Sequence, residues 1–217
     1  MFYEPDKGNH GLPRSPFKSC VVPRPIGWIT TLADDGRVNL APFSQSNLLG
    51  FDPGYVMFSA SAHPPDWHRK DSVGFAERRG EFVYNMATYA LRDKVTLTSR
   101  ILDRDVDEMA AAGLTPGPSR LVRPPRVAES PISLECKYYT TVVFPGRTPE
   151  TTHSMVVGRV VGVHIADEFI TGGKIDIARI RPLARMGYGD YTSVDHVFPV
   201  DPNASPDAQQ YGFDGGR

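Results

Sequence analysis

Two long runs of alternating side chains, ISLECKYYTTVVF from Ile132 and SMVVGRVVGVHIA from Ser154, constrain the fold of this 217-residue chain more than any other feature. In the first, Ile132, Leu134, Cys136 and Tyr138 fall on one face and Glu135 and Lys137 on the other, the period of two expected of a barrel wall. In the second, Val157, Val161, Val163 and Ile165 share a side, and Gly158 and Gly162 lie opposite, where a missing side chain permits close packing or a bulge.

Shorter signals complete the sheet. Ile26 to Ala33 is rich in β-branched and aromatic residues, and Asp34-Asp35-Gly36 supplies turn chemistry before VNLA, which is a hairpin pattern. Asp52-Pro53-Gly54 turns the chain into YVMFSAS, a strand with a small, hydroxyl-bearing end. A helix is predicted at Lys70 to Arg79, with Asp71 or Ser72 as N-cap and Gly80 as terminator, leading into the strand EFVYNMA. Further helices are predicted at Ala90 to Arg100 and at Val106 to Ala112, the latter stopping at Gly113. Five of the twenty prolines fall between Thr115 and Pro131, which reads as an extended connection over the surface. Strands joined mostly by turns, with helices inserted rather than alternating, give a mainly β, antiparallel fold rather than a doubly wound sheet. A doubly wound nicotinamide enzyme would also carry GxGxxG between a strand and a helix, and the chain has no such string.

Charge and cysteine content narrow the partners. Lys and Arg total 24 against 25 Asp and Glu, so the chain carries no general field for nucleic acid or an anionic membrane, and neither is expected as a partner. Cys20 and Cys136 are too few for a disulfide scaffold and lack metal-ligand spacing, which favours a reducing, cytoplasmic setting. The polar start at Met1 has no secretory pattern, and no window approaches the roughly 18 apolar residues of a membrane helix. Asp103-Arg104-Asp105 with Asp107-Glu108 reads as a solvated helix start, and no metal site is expected. GxSxG, HExxH and GxxxxGK[ST] are all absent. Residues 1–22 read as an irregular N-terminal arm, and residues 199–217, rich in Pro, Asp, Gly and Gln, as a mobile tail.

Several residues stand out as candidate ligands. Lys70-Asp71-Ser72, opening a helix, would bring unpaired N–H groups, the positive helix end, a lysine and a hydroxyl onto a dianion; an ordinary N-cap beside a solvated lysine is the alternative. Ser44, Gln45 and Asn47, with Ser59-Ala60-Ser61, would present polar groups to one concave site if their segments adjoin, or else serve as turn residues. Trp28 and Thr30 share a strand face and alternate with Thr31, and a strand tryptophan serves equally in a core or a dimer interface. Arg24, fixed between Pro23 and Pro25, suits a phosphate or a surface ion pair.

In their order and spacing, PRPIGWITTLADDGRVNLAPFSQSN from Pro23 to Asn47, KDS at Lys70 to Ser72 and GEFVYN at Gly80 to Asn85 resemble the flavin reductase-like family, which binds FMN in a split β-barrel. The resemblance runs from about Pro5 to Tyr191 and implies one such domain over residues 23–198. It implies that FMN phosphate sits at Lys70, Asp71 and Ser72, with Ser44, Gln45, Asn47, Ser59, Ala60 and Ser61 beside the flavin. It places the strand of Trp28 under the isoalloxazine, with Thr30 or Thr31 bonding its edge. His153 opens HSMVVGRVVGV, similar to the family's His-x-x-x-x-Gly strand start, where it would position nicotinamide or donate a proton to reduced flavin. RPLARMGYGDY resembles the segment that folds over the flavin, often from a partner subunit, with Tyr188 stacking on the ring.

The activity implied is hydride transfer from NADH or NADPH to FMN in a homodimer, with reduced flavin passed to oxygen or to a separate monooxygenase. A flavoredoxin-like electron carrier or sensor with little NAD(P)H turnover, and a direct FMN-dependent reductase of an organic substrate, are alternatives on the same fold. The chain departs from the family at Phe75, where Asn is common, and in the bulky loop His63 to His68.

Overall fold

The computed structural model describes residues 1–62, 67–103 and 106–198. The strands are β1 (Arg24–Pro25), β2 (Gly27–Leu32), β3 (Val38–Phe43), β4 (Ser46–Phe51), β5 (Gly54–Ser61), β6 (Glu81–Met86), β7 (Pro116–Gly117), β8 (Arg126–Val127), β9 (Ile132–Pro145), β10 (Thr152–Ile165), β11 (Ile170–Thr171), β12 (Lys174–Ile175), β13 (Leu183–Arg185) and β14 (Tyr191–Ser193). The helices are α1 (Asp71–Arg79), α2 (Arg92–Leu97), α3 (Glu108–Ala111) and α4 (Ile177–Ile180).

Seven strands form one antiparallel sheet in the order β3-β2-β6-β9-β10-β5-β4. The outermost two, β3 and β4, are consecutive in the chain and joined through Ser44 and Gln45 alone. Laid flat, six strand spacings would hold them about 29 Å apart. The three peptide links from Phe43 to Ser46 span at most about 11 Å. The sheet must therefore roll up, and because β3 and β4 do not pair, it remains a split barrel.

The interior is apolar. Ile29, Phe43, Phe58, Phe82, Cys136 and Val156 meet there with Val73 and Ala76 of α1, and Phe58 packs edge-on against Phe82 at 5.3 Å. Gly158 makes this possible: a Cβ at that position would lie 2.4 Å from the Phe82 ring. β10 shifts register at Val157/Gly158 and again at Val160/Gly162, the bulges that the two glycines lead one to expect. A second apolar cluster, with Trp28, Leu40, Leu91, Val95, Met109 and Val127, fills the layer between the barrel wall and α2, α3 and β8.

The structure departs from the sequence reading in places. The helix predicted at Ala90 to Arg100 is a 3-10 turn at Tyr89–Leu91 followed by α2, which ends at Thr98. Thr98 is buried, and its hydroxyl accepts the Trp28 indole N–H at 2.9 Å while donating to the Val95 carbonyl, so the chain leaves the helix there to satisfy Trp28. The helix predicted at Val106 to Ala112 shrinks to α3, capped by Asp107, which accepts the Ala110 N–H. α1 begins as predicted, but Lys70 stands at the N-cap and supplies no side-chain bond; Gly80 ends the helix at φ 70°. In the arm, Arg24 donates to the carbonyls of Lys18, Val21 and Met186 and so ties residues 18–21 to the loop after β13. The predicted tail, 199–217, lies outside the described residues.

Glu135 is the largest departure. It lies on the strand face opposite the apolar one, as the alternation predicts, yet is fully buried, because the proline-rich connection lies across it. Its carboxylate accepts the backbone N–H groups of Arg120 (2.8 Å), Leu121 (2.6 Å) and Val122 (3.1 Å), and His164 Nε2 at 2.5 Å. A segment without its own ladder finds partners in this way. Burial pushes the carboxyl up in pKa, and the His164 and backbone hydrogen bonds outweigh that and hold it below the ordinary value of 4.5. Its stabilising share is thus complete above that value and lost as pH falls through the lowered folded one. Glu135→Ala is expected to cost about 3 kcal/mol in urea unfolding, by stranding three N–H groups. Glu135→Gln should flatten the acid limb of the stability profile, and an unchanged limb would show that Glu135 does not carry it.

Candidate functional site

Lys70 ends the connection into α1 without capping the helix through its own side chain, and the positive helix end opens onto a cleft of about 370 Å³. One side of the cleft is formed by residues 68–72, a second by Asn39, Ala41, Pro42 and Phe43 of β3, and a third by residues 98–103 with Glu108. Asn39 holds the first two together. Its amide donates to Ser72 Oγ at 2.8 Å and to Thr31 Oγ1 at 3.1 Å, so the Ser72 hydroxyl is fixed through a residue absent from the sequence prediction. Arg69 is committed elsewhere, gripping Glu77 through both terminal nitrogens and donating to Ser154 Oγ at 3.2 Å.

Ser44, Gln45 and Asn47 adjoin Ser59 to Ser61 as anticipated. The Gln45 carbonyl accepts the Ser59 N–H at 2.7 Å, and Asn47 pairs with Met57. Across β5, Ala60 faces Ser154 and Ser61 faces His153, whose Nδ1 lies 2.8 Å from Ser61 Oγ. Because Arg69 binds Ser154, this end of β5 and β10 is linked to the start of α1.

Trp28, Thr30 and Thr31 take other places. All three are fully buried: Trp28 lies in the outer cluster, Thr30 Oγ1 accepts from Asn85, and Thr31 Oγ1 accepts from Asn39. They offer a ligand no surface within this chain and act on the cleft from behind. Ala60 is also buried. Tyr188 sits at φ 51° in the loop after β13 and does not line the cleft of its own chain. Phe75 stacks beneath Arg78 at 5.1 Å rather than facing the cleft. His63 to Asp66 lie outside the described residues.

Asn39, Glu108 and residues 98–102 were missed. The one signal for Asn39 was a polar residue inside the strand VNLA. Glu108, read as a solvated helix start, instead turns inward and accepts the Leu40 N–H at 3.1 Å. Burial, and then the neighbouring Asp107 and Asp71 charges, push its carboxyl above the ordinary value. Lys70 and Arg100 are the cations on the cleft wall besides Arg69. A helix end, two cations and the Ser72 hydroxyl, which accepts from Asn39 and keeps its own proton to donate, suit a phosphate group. Neither cysteine lines this cleft: Cys136 is buried in the barrel core and Cys20 is exposed in the N-terminal arm.

An antiparallel split barrel with a cleft at the start of α1 is the architecture of the flavin reductase-like class. Residues 19–177 match the flavin reductase like domain, and the chain belongs to that family. An uncharacterized protein of Halalkalibacterium halodurans is 35% identical over 181 residues, 83% of this chain and 86% of its own. Among solved structures, nitrilotriacetate monooxygenase component B from Bacillus cereus shares the fold at TM-score 0.84 and 24% identity, covering 92% of this chain and 98% of its own. The 2-nitrobenzoate 2-nitroreductase of Pseudomonas fluorescens is similar at TM-score 0.75 and 27% identity, covering 88% and 90%.

Ionising Glu108 costs more in the folded chain than in the unfolded one, so its contribution to stability falls as pH rises from 4.5 through the raised folded value. Glu108→Gln keeps an acceptor for Leu40 without the charge. It is expected to gain stability over the parent protein at pH 7 and not at pH 4, read by thermal unfolding; an equal shift at both pH values would refute the charge argument.

Proposed function

We propose that this chain is an FMN-binding, NAD(P)H-dependent flavin reductase, working as a homodimer in the cytoplasm and supplying reduced flavin to a separate monooxygenase. The observation that carries the reading is the opening of α1 at Lys70, Asp71 and Ser72 onto the cleft, braced through Asn39. FMN, when bound, supplies hydride acceptance and onward electron transfer. Lys70, Arg100 and the helix end hold its phosphate, and Ser44, Gln45, Asn47, Ser59 and Ser61 supply polar groups for the remainder. His153, steadied by Ser61 and exposed to solvent, orients the nicotinamide or delivers a proton. The oxygenase partner follows from the family resemblance; the Bacillus cereus protein, itself a monooxygenase component, shares the fold.

Dimerisation has support on the surface. β4 ends the sheet, and its Leu48, Leu49 and Phe51 are 58%, 53% and 78% exposed, an apolar edge that a second copy would cover. One other reading has a specific observation in its favour: the likeness to the nitroreductase at 27% identity supports direct reduction of an organic substrate in the same cleft.

Anaerobic stopped-flow of the FMN-loaded protein decides between these. Fast bleaching by NADH or NADPH is expected, followed by reoxidation and steady turnover once oxygen is admitted as the only acceptor; bleaching by neither nucleotide would sink the reductase assignment. Faster turnover with 2-nitrobenzoate than with oxygen or free flavin would favour the second reading. Lys70→Ala should weaken FMN binding about 10- to 100-fold by fluorescence titration, the loss of one charge-assisted contact. Leu49→Asp should shift the protein toward monomer in sedimentation velocity, and a monomeric parent protein would dispose of the dimer.

A further inference from the structure

A second cleft, of about 610 Å³, opens where β10 ends, beneath the connection that Glu135 anchors. Ser154, which Arg69 binds beside the first cleft, and Val163, which lines the second, are nine residues apart on one strand, about 30 Å at 3.3 Å per residue. The two clefts are therefore separate.

Its chemistry is amphipathic. Leu121 and Val163, 56% and 58% exposed, stand on the walls with Pro131 and Ile165. Arg120 and Arg126 supply the charge. The Arg120 side chain forms no hydrogen bond or ion pair among the described residues; its backbone N–H is what Glu135 holds. Arg126 uses only Nε, donating to the Pro118 carbonyl at 3.0 Å, which fixes the guanidinium and leaves its terminal nitrogens without a protein acceptor among the described residues. Glu135, also on the wall and charged, forms no ion pair with either guanidinium, because its oxygens are engaged by three N–H groups and His164. Asp167 is the other acid on the wall, and it is exposed.

We propose that this cleft binds a small organic carboxylate with an apolar body. A guanidinium fork matches a carboxylate in shape and charge. The volume falls in the range of sites for small organic ligands, and the apolar walls would stay wet around a bare inorganic anion. The proposal does not depend on the activity proposed for the first cleft.

The test is isothermal titration of the FMN-saturated protein with benzoate, beside benzyl alcohol and inorganic phosphate. FMN fills the phosphate end of the first cleft, and the Arg120 and Val163 variants below assign the binding to the second. Benzoate should bind at least about 10-fold more tightly than either control, because only it offers both carboxylate and body. Arg120→Gln should weaken benzoate about 10-fold, and Val163→Asp, which sets a negative charge beside the carboxylate, should abolish its binding. Both side chains are exposed, so the fold is expected to survive, as circular dichroism and FMN binding would verify. Benzoate that fails to bind, that binds both variants as well as the parent protein, or that is matched by phosphate or benzyl alcohol would overturn the proposal.

Discussion

The short link through Ser44 and Gln45 is the constraint on which the rest of the structure depends. It joins the two edges of a seven-stranded sheet, so that sheet cannot lie flat. Once it rolls, the β3–β4 bend falls against the end of β5, where Gln45 and Ser59 share a backbone hydrogen bond. β10 brings Ser154 to the same place, and Arg69 fastens the start of α1 to it. Closure thus sets β3 and the start of α1, which wall the cleft, beside Gln45, Ser59 and Ser154, which adjoin it without lining it. The barrel's remaining gap also leaves β4 as an exposed apolar edge, and the need to cover it arises from the same topology.

Buried polar side chains then fix what the apolar core leaves free. Asn85 shows the pattern: its amide donates to the Trp28 carbonyl and Thr30 Oγ1, while its oxygen accepts from Val127 N and Ser133 Oγ. β2, β6, β8 and β9 are locked together at one point. Glu81 and Glu135 do the same for the proline-rich connection, Glu81 by binding Arg123 and Lys137 and Glu135 through the N–H groups of residues 120–122. A leucine at any of these positions would fill space but leave N–H groups unpaired, which costs more than the apolar contact returns.

These polar anchors also mark the limit of what the sequence discloses. The strands β2, β3, β5, β6, β9 and β10 were legible because alternation and turn residues are local signals. The glycine-permitted bulges of β10 and the helix that opens near Lys70 were legible for the same reason. Glu135 was not, because its alternation phase is correct and only a segment ending at Pro131 makes that face an interior. Thr98 ended a helix early through an indole seventy residues away. Trp28, Thr30 and Thr31 stand on the right strand, but whether a strand residue meets a ligand or the layer behind it depends on both sheet faces being covered, which no local pattern records.

The charge balance of the first cleft bears on how it would treat a phosphate. Arg69 is on its wall but spent on Glu77, leaving, among the described residues, Lys70 and Arg100 against Asp71, Asp103 and Glu108. Net charge therefore does not favour a dianion; the helix end and fixed hydroxyls must provide the attraction, over a short range. Glu108 is already held above its ordinary pKa by burial and by Asp107 and Asp71, and a dianion beside it would push it further in the same direction. Binding of phosphate and of a proton at Glu108 are then reciprocal, each favouring the other. A site built this way discriminates by fit and holds its anion less tightly than an all-cationic cradle would.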